Sequence, residues 1–192
     1  MRALILAYYF PPIGGGGVQR SLKFARYLPE HGYDVSVVTG PGSTSDQWSP
    51  RDETLQAEVG NTEVYRVLGS EPAGTPWQMR GEKWLGLVSP WSRWWTEGAV
   101  RTGLGVAGKV DVIVASVPPY QTAEAAATLS RELGCPWVAD LRDHWAVDEL
   151  MIYASGLHRR WELRRMRRLL STASAVIAVS TEGARRIQAR MS

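Results

Sequence analysis

Two stretches of this sequence bring together residue types suited to phosphates and sugars. Gly14, Gly15, Gly16 and Gly17 form an unbroken run. Without Cβ atoms, their backbone N–H groups can approach an anion closely. A helix starting there adds the positive end of its dipole, so a diphosphate is the natural guest. The plain alternative is a flexible turn. The spacing is not Gly-x-Gly-x-x-Gly, because Gln19 and Arg20 follow, and no Lys-Ser or Lys-Thr pair makes a P-loop. The second stretch is Arg142-Asp143-His144. A carboxylate or an imidazole can accept a hydrogen bond from a sugar hydroxyl or take its proton, which makes these three the candidate catalytic residues. The plain alternative is an ion pair from Arg142 to Asp143, Asp148 or Glu149. His31, His144 and His158 fall on different elements without ligand spacing, so no metal site is expected. Ser116 and His144 lack the setting of a nucleophile elbow.

The elements that must position these groups follow from periodicity. Ala3–Tyr9, Asp34–Thr39, Thr62–Val67, Asp111–Ser116, Trp137–Asp140 and Ala175–Val179 are short apolar or alternating runs and read as strands. Helical stripes lie between several of them. Val18, Leu22, Ala25 and Leu28 form one, closed by Pro29 and Gly32. A second helix runs Ala123–Leu133, with Thr122 as N-cap and Gly134 as stop. A third covers about Glu149–Leu170, and Ser180 caps a last one through Arg190. The stretch Pro41–Gly60 reads as a polar loop with a short helix near Glu53–Glu58, and Glu71–Lys109 as irregular. Strands alternating with helices predict an α/β fold: a Rossmann-like, doubly wound, mainly parallel sheet with helices on both faces. Ligands of such sheets sit beyond the carboxyl ends of the strands, where both candidate stretches fall.

At 192 residues with 44% hydrophobic and 21% charged residues, the chain fits one ordinary globular domain. Its single cysteine, Cys135, excludes an internal disulfide and fits a cytoplasmic setting. The apolar start is too short for a secretory signal, and no run is long enough to span a bilayer. The net charge of +3 hides an asymmetry: residues 142–192 hold ten arginines against five acids. Six of those arginines lie at Arg159–Arg168, on a helix whose other face carries Trp161, Leu163, Met166, Leu169 and Leu170. Trp77, Trp84, Trp91, Trp94 and Trp95 crowd one segment. Indoles beside Arg and Lys suit a bilayer's headgroup zone, so an anionic membrane surface is a candidate partner through Trp77–Trp95 and Arg159–Arg168. Core packing of the indoles and a solvated basic face are the plain alternatives. No recognition motif points to nucleic acid.

Four segments in order resemble the N-terminal domain of the family 4 retaining glycosyltransferases. They are Tyr9-Phe10-Pro11-Pro12 through Gly14–Gly17 with Gln19-Arg20; Leu28-Pro29-Glu30-His31-Gly32-Tyr33-Asp34-Val35; Ser116-Val117-Pro118-Pro119; and Asp140-Leu141-Arg142-Asp143. The resemblance implies one half of a GT-B fold, with the acceptor on this side and the glycine loop near the donor diphosphate. It implies acceptor contacts from Ser116, Pro118, Tyr120 and Arg142, and catalytic contacts from Arg142, Asp143 and His144. It implies a nucleotide-sugar as co-substrate, a saccharide or lipid-linked acceptor, and hexosyl transfer in cell-surface polysaccharide or glycolipid synthesis. No separate cofactor and no metal are expected. The nucleotide-binding half would follow Ser192, so residues 1–192 alone are expected to turn nothing over.

Two other classes compete. One is a non-catalytic module that binds a membrane surface or phosphate. The other is a nicotinamide-dependent oxidoreductase, disfavoured because Thr39-Gly40 ends the second strand where an acid would bind a ribose.

Overall fold

The fold was obtained as a computed structural model that describes residues 1–42, 50–85, 87–106 and 108–191. Residues 43–49 of the expected polar loop lie outside the described residues.

Strand β1 (Arg2–Ala7) shows how the layers are built. Ala3, Ile5 and Ala7 enter one apolar cluster, while Leu4, Leu6 and the following Tyr8 enter another. Alternate side chains point to opposite faces, so a strand buried on both sides reads as an unbroken apolar run. β1 pairs with β2 (Asp34–Thr39) and with β4 (Val112–Val117), both parallel. β3 (Glu63–Arg66) joins beyond β2, and β5 (Trp137–Leu141) and β6 (Ala175–Ala178) beyond β4. The sheet is six-stranded and parallel throughout, in the order β3-β2-β1-β4-β5-β6. The chain reverses its direction of travel across the sheet between β1 and β4, the place beyond whose strand ends ligands of such sheets bind as a rule.

Helix α1 (Gly16–Tyr27) covers one face with Val18, Leu22 and Ala25, as the stripe predicts. Full burial of Val18 or Leu22 contributes roughly 1.5–3 kcal/mol each. The short α2 (Gln56–Val59) lies beside it, after a 3-10 turn whose first N–H groups include that of Thr54, accepted by the Asp52 side chain. The other face carries α4 (Pro90–Val106), α5 (Gln121–Leu133) and α6 (Gly156–Leu170), with α7 (Thr181–Met191) contributing Ile187.

Three sequence expectations are corrected. Residues 71–109 hold two helices, α3 (Pro76–Leu85) and α4, each opening on a proline, which is tolerated in a first helical turn. The third expected helix begins at Gly156 rather than Glu149, because Ser155 caps it by accepting the His158 N–H at 3.1 Å. Helix α5 begins at Gln121 with no side-chain cap. Thr122 lies buried inside it and accepts the Trp95 indole N–H at 3.1 Å, a tertiary bond that local capping rules do not foresee. Ser180 does cap α7, accepting the Gly183 N–H at 3.0 Å.

Candidate functional site

At the reversal point the glycine run leads from β1 into α1. Gly14 is pinned by its N–H to the Pro50 carbonyl at 2.6 Å, and a Cβ there would meet Asp52. Gly15 turns the chain at φ 90°, a value that favours glycine, and α1 opens without a side-chain cap. Gly15 and Gly16 are exposed, and a Cβ on Gly16 would meet open space. The positive end of α1 is therefore left without a side-chain cap beyond the carboxyl end of β1.

Arg142 fastens this loop to the one after β4. Its Nη1 donates to the Gly17 carbonyl and its Nη2 to the Pro118 carbonyl, while its backbone N–H bonds the Val117 carbonyl at 2.8 Å. A Cβ on Gly17 would fall onto the guanidinium. The guanidinium lies 5.7 Å from the Tyr9 ring centre, and its Nε is buried without a hydrogen-bond partner. Both of its bonded acceptors are neutral carbonyls. Burial accordingly pushes its pKa down from the ordinary arginine value, with Asp143 as the main opposing charge. Arg142 forms no ion pair with Asp143, Asp148 or Glu149 among the described residues, and Glu149 pairs with Arg186 instead.

Beneath this clamp lies a pair that sequence reading passed over. Asp140, on β5 and fully buried, accepts from Arg20 of α1 at 2.6 Å. Its other oxygen, Oδ2, is buried with no partner. Burial raises the carboxyl above its ordinary range, against the pull of Arg20. The signal was present: an acid at the end of an apolar strand needs a partner.

The rest of the β5 loop leans away from β1. Asp143 is exposed. The His144 ring rests on the start of α7, where a Cβ on Gly183 would meet it, and its Nε2 lies 3.4 Å from Ser180 Oγ. Trp145 follows at φ 50°, a backbone state that costs a bulky residue energy. Two contacts hold it there. Its indole donates to Glu162 Oε2 at 2.8 Å, and its ring stacks on Tyr120 at 4.6 Å with an interplanar angle of 3°. Arg165 then binds Glu162 at 3.1 Å and Glu124 at 2.9 Å, with both Arg165 and Glu162 buried. Burial, and next the charge of Asp143, raise the Tyr120 phenol well above its ordinary value, so it stays a hydrogen-bond donor.

The structure thus brings Gly17, Pro118 and Arg142 into direct contact, with Tyr120 beside the same loop. It draws His144 toward Ser180, while Ser116 is buried in β4 opposite Asp140 in register. Glu124, Glu162 and Arg165 escaped sequence reading, because a charged residue on an amphipathic helix reads as surface. Arg165 belongs by sequence to the basic run Arg159–Arg168, yet it is buried. The tryptophans divide as well: Trp77 and Trp84 are exposed, Trp95 is buried, and Trp91 and Trp94 pack against the core. The glycine that follows β2 in place of an acid has a physical cause too. A Cβ on Gly40 would lie 2.9 Å from both the ring and the carbonyl of Tyr8.

Residues 15–192 match the family of glycosyl transferase 4-like domains, and the chain belongs to that family. No curated protein matches it. A solved structure described as that of MT0777 is 14% identical, with 99% of this chain and 96% of that one covered at a TM-score of 0.49. An alcohol dehydrogenase from the archaeon Thermococcus sibiricus, complexed with 5-hydroxy-NADP, is 13% identical over 91% of this chain and 74% of its own, at 0.42. A mutant organophosphorus hydrolase from Deinococcus radiodurans is 15% identical over 98% and 61%, at 0.34.

Proposed function

We propose that this glycosyl transferase 4-like domain is the acceptor-side half of a retaining, GT-B-type hexosyltransferase. The observation that carries the reading is the Arg142 clamp, which joins the glycine loop to the β4 loop beside the bare N-terminus of α1. A nucleotide-sugar diphosphate meets the Gly15–Gly17 backbone, and the nucleotide itself is held by a second domain. In the reaction an acceptor oxygen bonds the donor's anomeric carbon, the bond from that carbon to the diphosphate breaks, and the nucleoside diphosphate leaves with both bonding electrons. The acceptor's proton passes to a leaving-group oxygen or to Asp143 or His144 of the β5 loop. Charge growing on the leaving oxygens is met by the helix dipole and by the Arg142 guanidinium, whose hydrogen bonds go to neutral carbonyls. Ser116 lies too deep for direct contact, so Pro118 and Tyr120 carry the acceptor side of the β4 loop.

Titration with inorganic diphosphate, followed by amide NMR, tests this. The expected result is a shift of the Gly15, Gly16 and Gly17 resonances that weakens with salt. Unmoved glycine resonances at millimolar diphosphate overturn the reading, as does sugar transfer catalysed by residues 1–192 alone.

A second reading, docking on an anionic membrane, is favoured by one specific observation. Trp77, Trp84, Leu85, Leu87, Val88, Leu150 and Ile152 are all exposed, near the exposed Arg159 and Arg160. No helix among the described residues is long and apolar enough to cross a membrane. Sedimentation with phosphatidylcholine vesicles, with and without about 30% phosphatidylglycerol, checks it. Trp84→Ser is expected to lower binding severalfold, and binding indifferent to lipid charge and salt counts against this reading.

A further inference from the structure

A cavity of about 220 Å³ opens beside the β4 loop, between the starts of α4 and α5, the first half of α6 and residues 151–153. Its interior is built from two kinds of group. Tyr120, Tyr153 and Trp161 supply ring surfaces, while Gln121, Ser92 and Glu82 form a polar chain. In that chain Gln121 Nε2 donates to Ser92 Oγ at 2.8 Å, and Ser92 Oγ donates to Glu82 Oε1 at 3.3 Å. The one arginine in the lining, Arg165, is held by Glu124 and Glu162. Among the described lining residues no lysine and no unpaired arginine is left to receive a phosphate or carboxylate, and the three glutamates repel one. His158, also in the lining, keeps a buried Nδ1 without a partner. Rings with hydrogen-bonding groups and no spare positive charge suit the apolar faces and hydroxyls of a neutral sugar.

The mouth differs from the interior. Leu87, Val88 and Met151 line the cavity yet are 58%, 58% and 39% exposed. Leu150 and Ile152, 89% and 94% exposed, flank Met151. Ser155 Oγ bonds the Trp84 carbonyl at 3.1 Å and ties the end of α3 to this same rim. A ligand held by its sugar inside the cavity would therefore carry whatever is attached to that sugar across apolar surface.

We propose that the cavity binds an uncharged saccharide unit whose aglycone is apolar and lies along the Leu87–Val88–Met151 rim. This rests on the glycosyltransferase reading and narrows its acceptor: a glycoside of an alkyl or lipid chain rather than a free saccharide or an acidic sugar. The exposed apolar rim and the sugar cavity are then one continuous site.

The test uses side-chain NMR of the Trp161 indole and the Gln121 amide in the full chain. The probes are octyl glucoside and octyl N-acetylglucosaminide below their micellar concentrations, the matching methyl glycosides, octyl glucuronide, and octylphosphocholine as a sugar-free amphiphile. An octyl glycoside is expected to bind at least about tenfold more tightly than its methyl counterpart, since several buried methylenes are involved. Octyl glucuronide is expected to bind at least about tenfold more weakly than octyl glucoside. The double substitution Val88→Ser and Met151→Ser removes the octyl advantage alone, whereas Gln121→Ala weakens both octyl and methyl glycosides. The proposal is overturned if neither neutral glycoside moves these resonances, if the glucuronide binds equally, or if octylphosphocholine moves them at the same concentration. Failure of the diphosphate titration overturns the glycosyltransferase reading and leaves this cavity result standing, so the two outcomes are distinguishable.

Discussion

Two arginines near the β4 loop, Arg142 partly buried and Arg165 buried, have different partners. Arg142 binds the neutral carbonyls of Gly17 and Pro118, so no hydrogen-bonded carboxylate neutralises it at the glycine loop. Arg165 binds two carboxylates, Glu124 and Glu162, so its charge is more than cancelled beside the cavity. One residue type therefore makes one side attractive to anions and the other repellent. Acceptor chemistry decides the sign, since a carbonyl satisfies a guanidinium's hydrogen bonds without neutralising it. Under the proposed function this sorts the two substrates: the diphosphate goes to the Arg142 side and the neutral sugar to the Arg165 side.

The sharpest way to break this contrast is Arg165→Ala. It leaves Glu124 and Glu162 facing each other in a buried setting, and a stability loss of about 3–5 kcal/mol is expected by urea denaturation. A loss below about 1 kcal/mol would show that water already screens this corner. Arg142→Ala comes next. Losing its carbonyl bonds is expected to cost about 2 kcal/mol, and diphosphate affinity should fall while octyl glucoside affinity holds. A parallel fall in both affinities would erase the division between the two sides. Gly16→Ala should leave stability within about 0.5 kcal/mol, because its Cβ meets nothing, yet weaken diphosphate binding by crowding the backbone. Gly17→Ala, by contrast, collides with Arg142 and should lose stability as well. The smallest effect concerns Tyr153 in the cavity wall. Burial, then Glu162, push its phenol up to about 12. With the folded pKa above the unfolded value, the stabilisation is fully present below the ordinary phenol pKa and is lost as pH climbs toward about 12. Tyr153→Phe removes that slope. Comparing urea midpoints at about pH 9 and about pH 11.5 should show a wild-type decline that the variant partly lacks.

The sheet was legible because buried parallel strands leave apolar runs that nothing else in the sequence imitates. All six expected strands appear, with ends shifted by at most two residues. The glycine loop and the Arg142 loop were legible because both follow such strands. What stayed hidden was pairing at long range. Arg20 and Asp140 stand 120 positions apart. Thr122 looked like a cap because its bond to Trp95 arises from packing α4 on α5. The tryptophan segment was unreadable as helix because glycines and prolines interrupt it, and its indoles serve opposite purposes on two adjacent helices. Glu162 and Arg165 looked solvated because periodicity separates polar from apolar, not paired charge from free charge.

The contact of Gly40 with Tyr8 bears on what this domain can become. An acid at the end of β2 is one codon change away, and on open ground it would start a ribose site. Here the new Cβ meets a backbone carbonyl as well as a ring, and the ring is wedged edge-on against Tyr9, Trp91 and Trp95. Trimming Tyr8 alone leaves the carbonyl in place and empties part of the core. The route to a dinucleotide-binding descendant therefore passes through several simultaneous changes, each harmful by itself, and selection acting one step at a time meets a barrier at a single glycine.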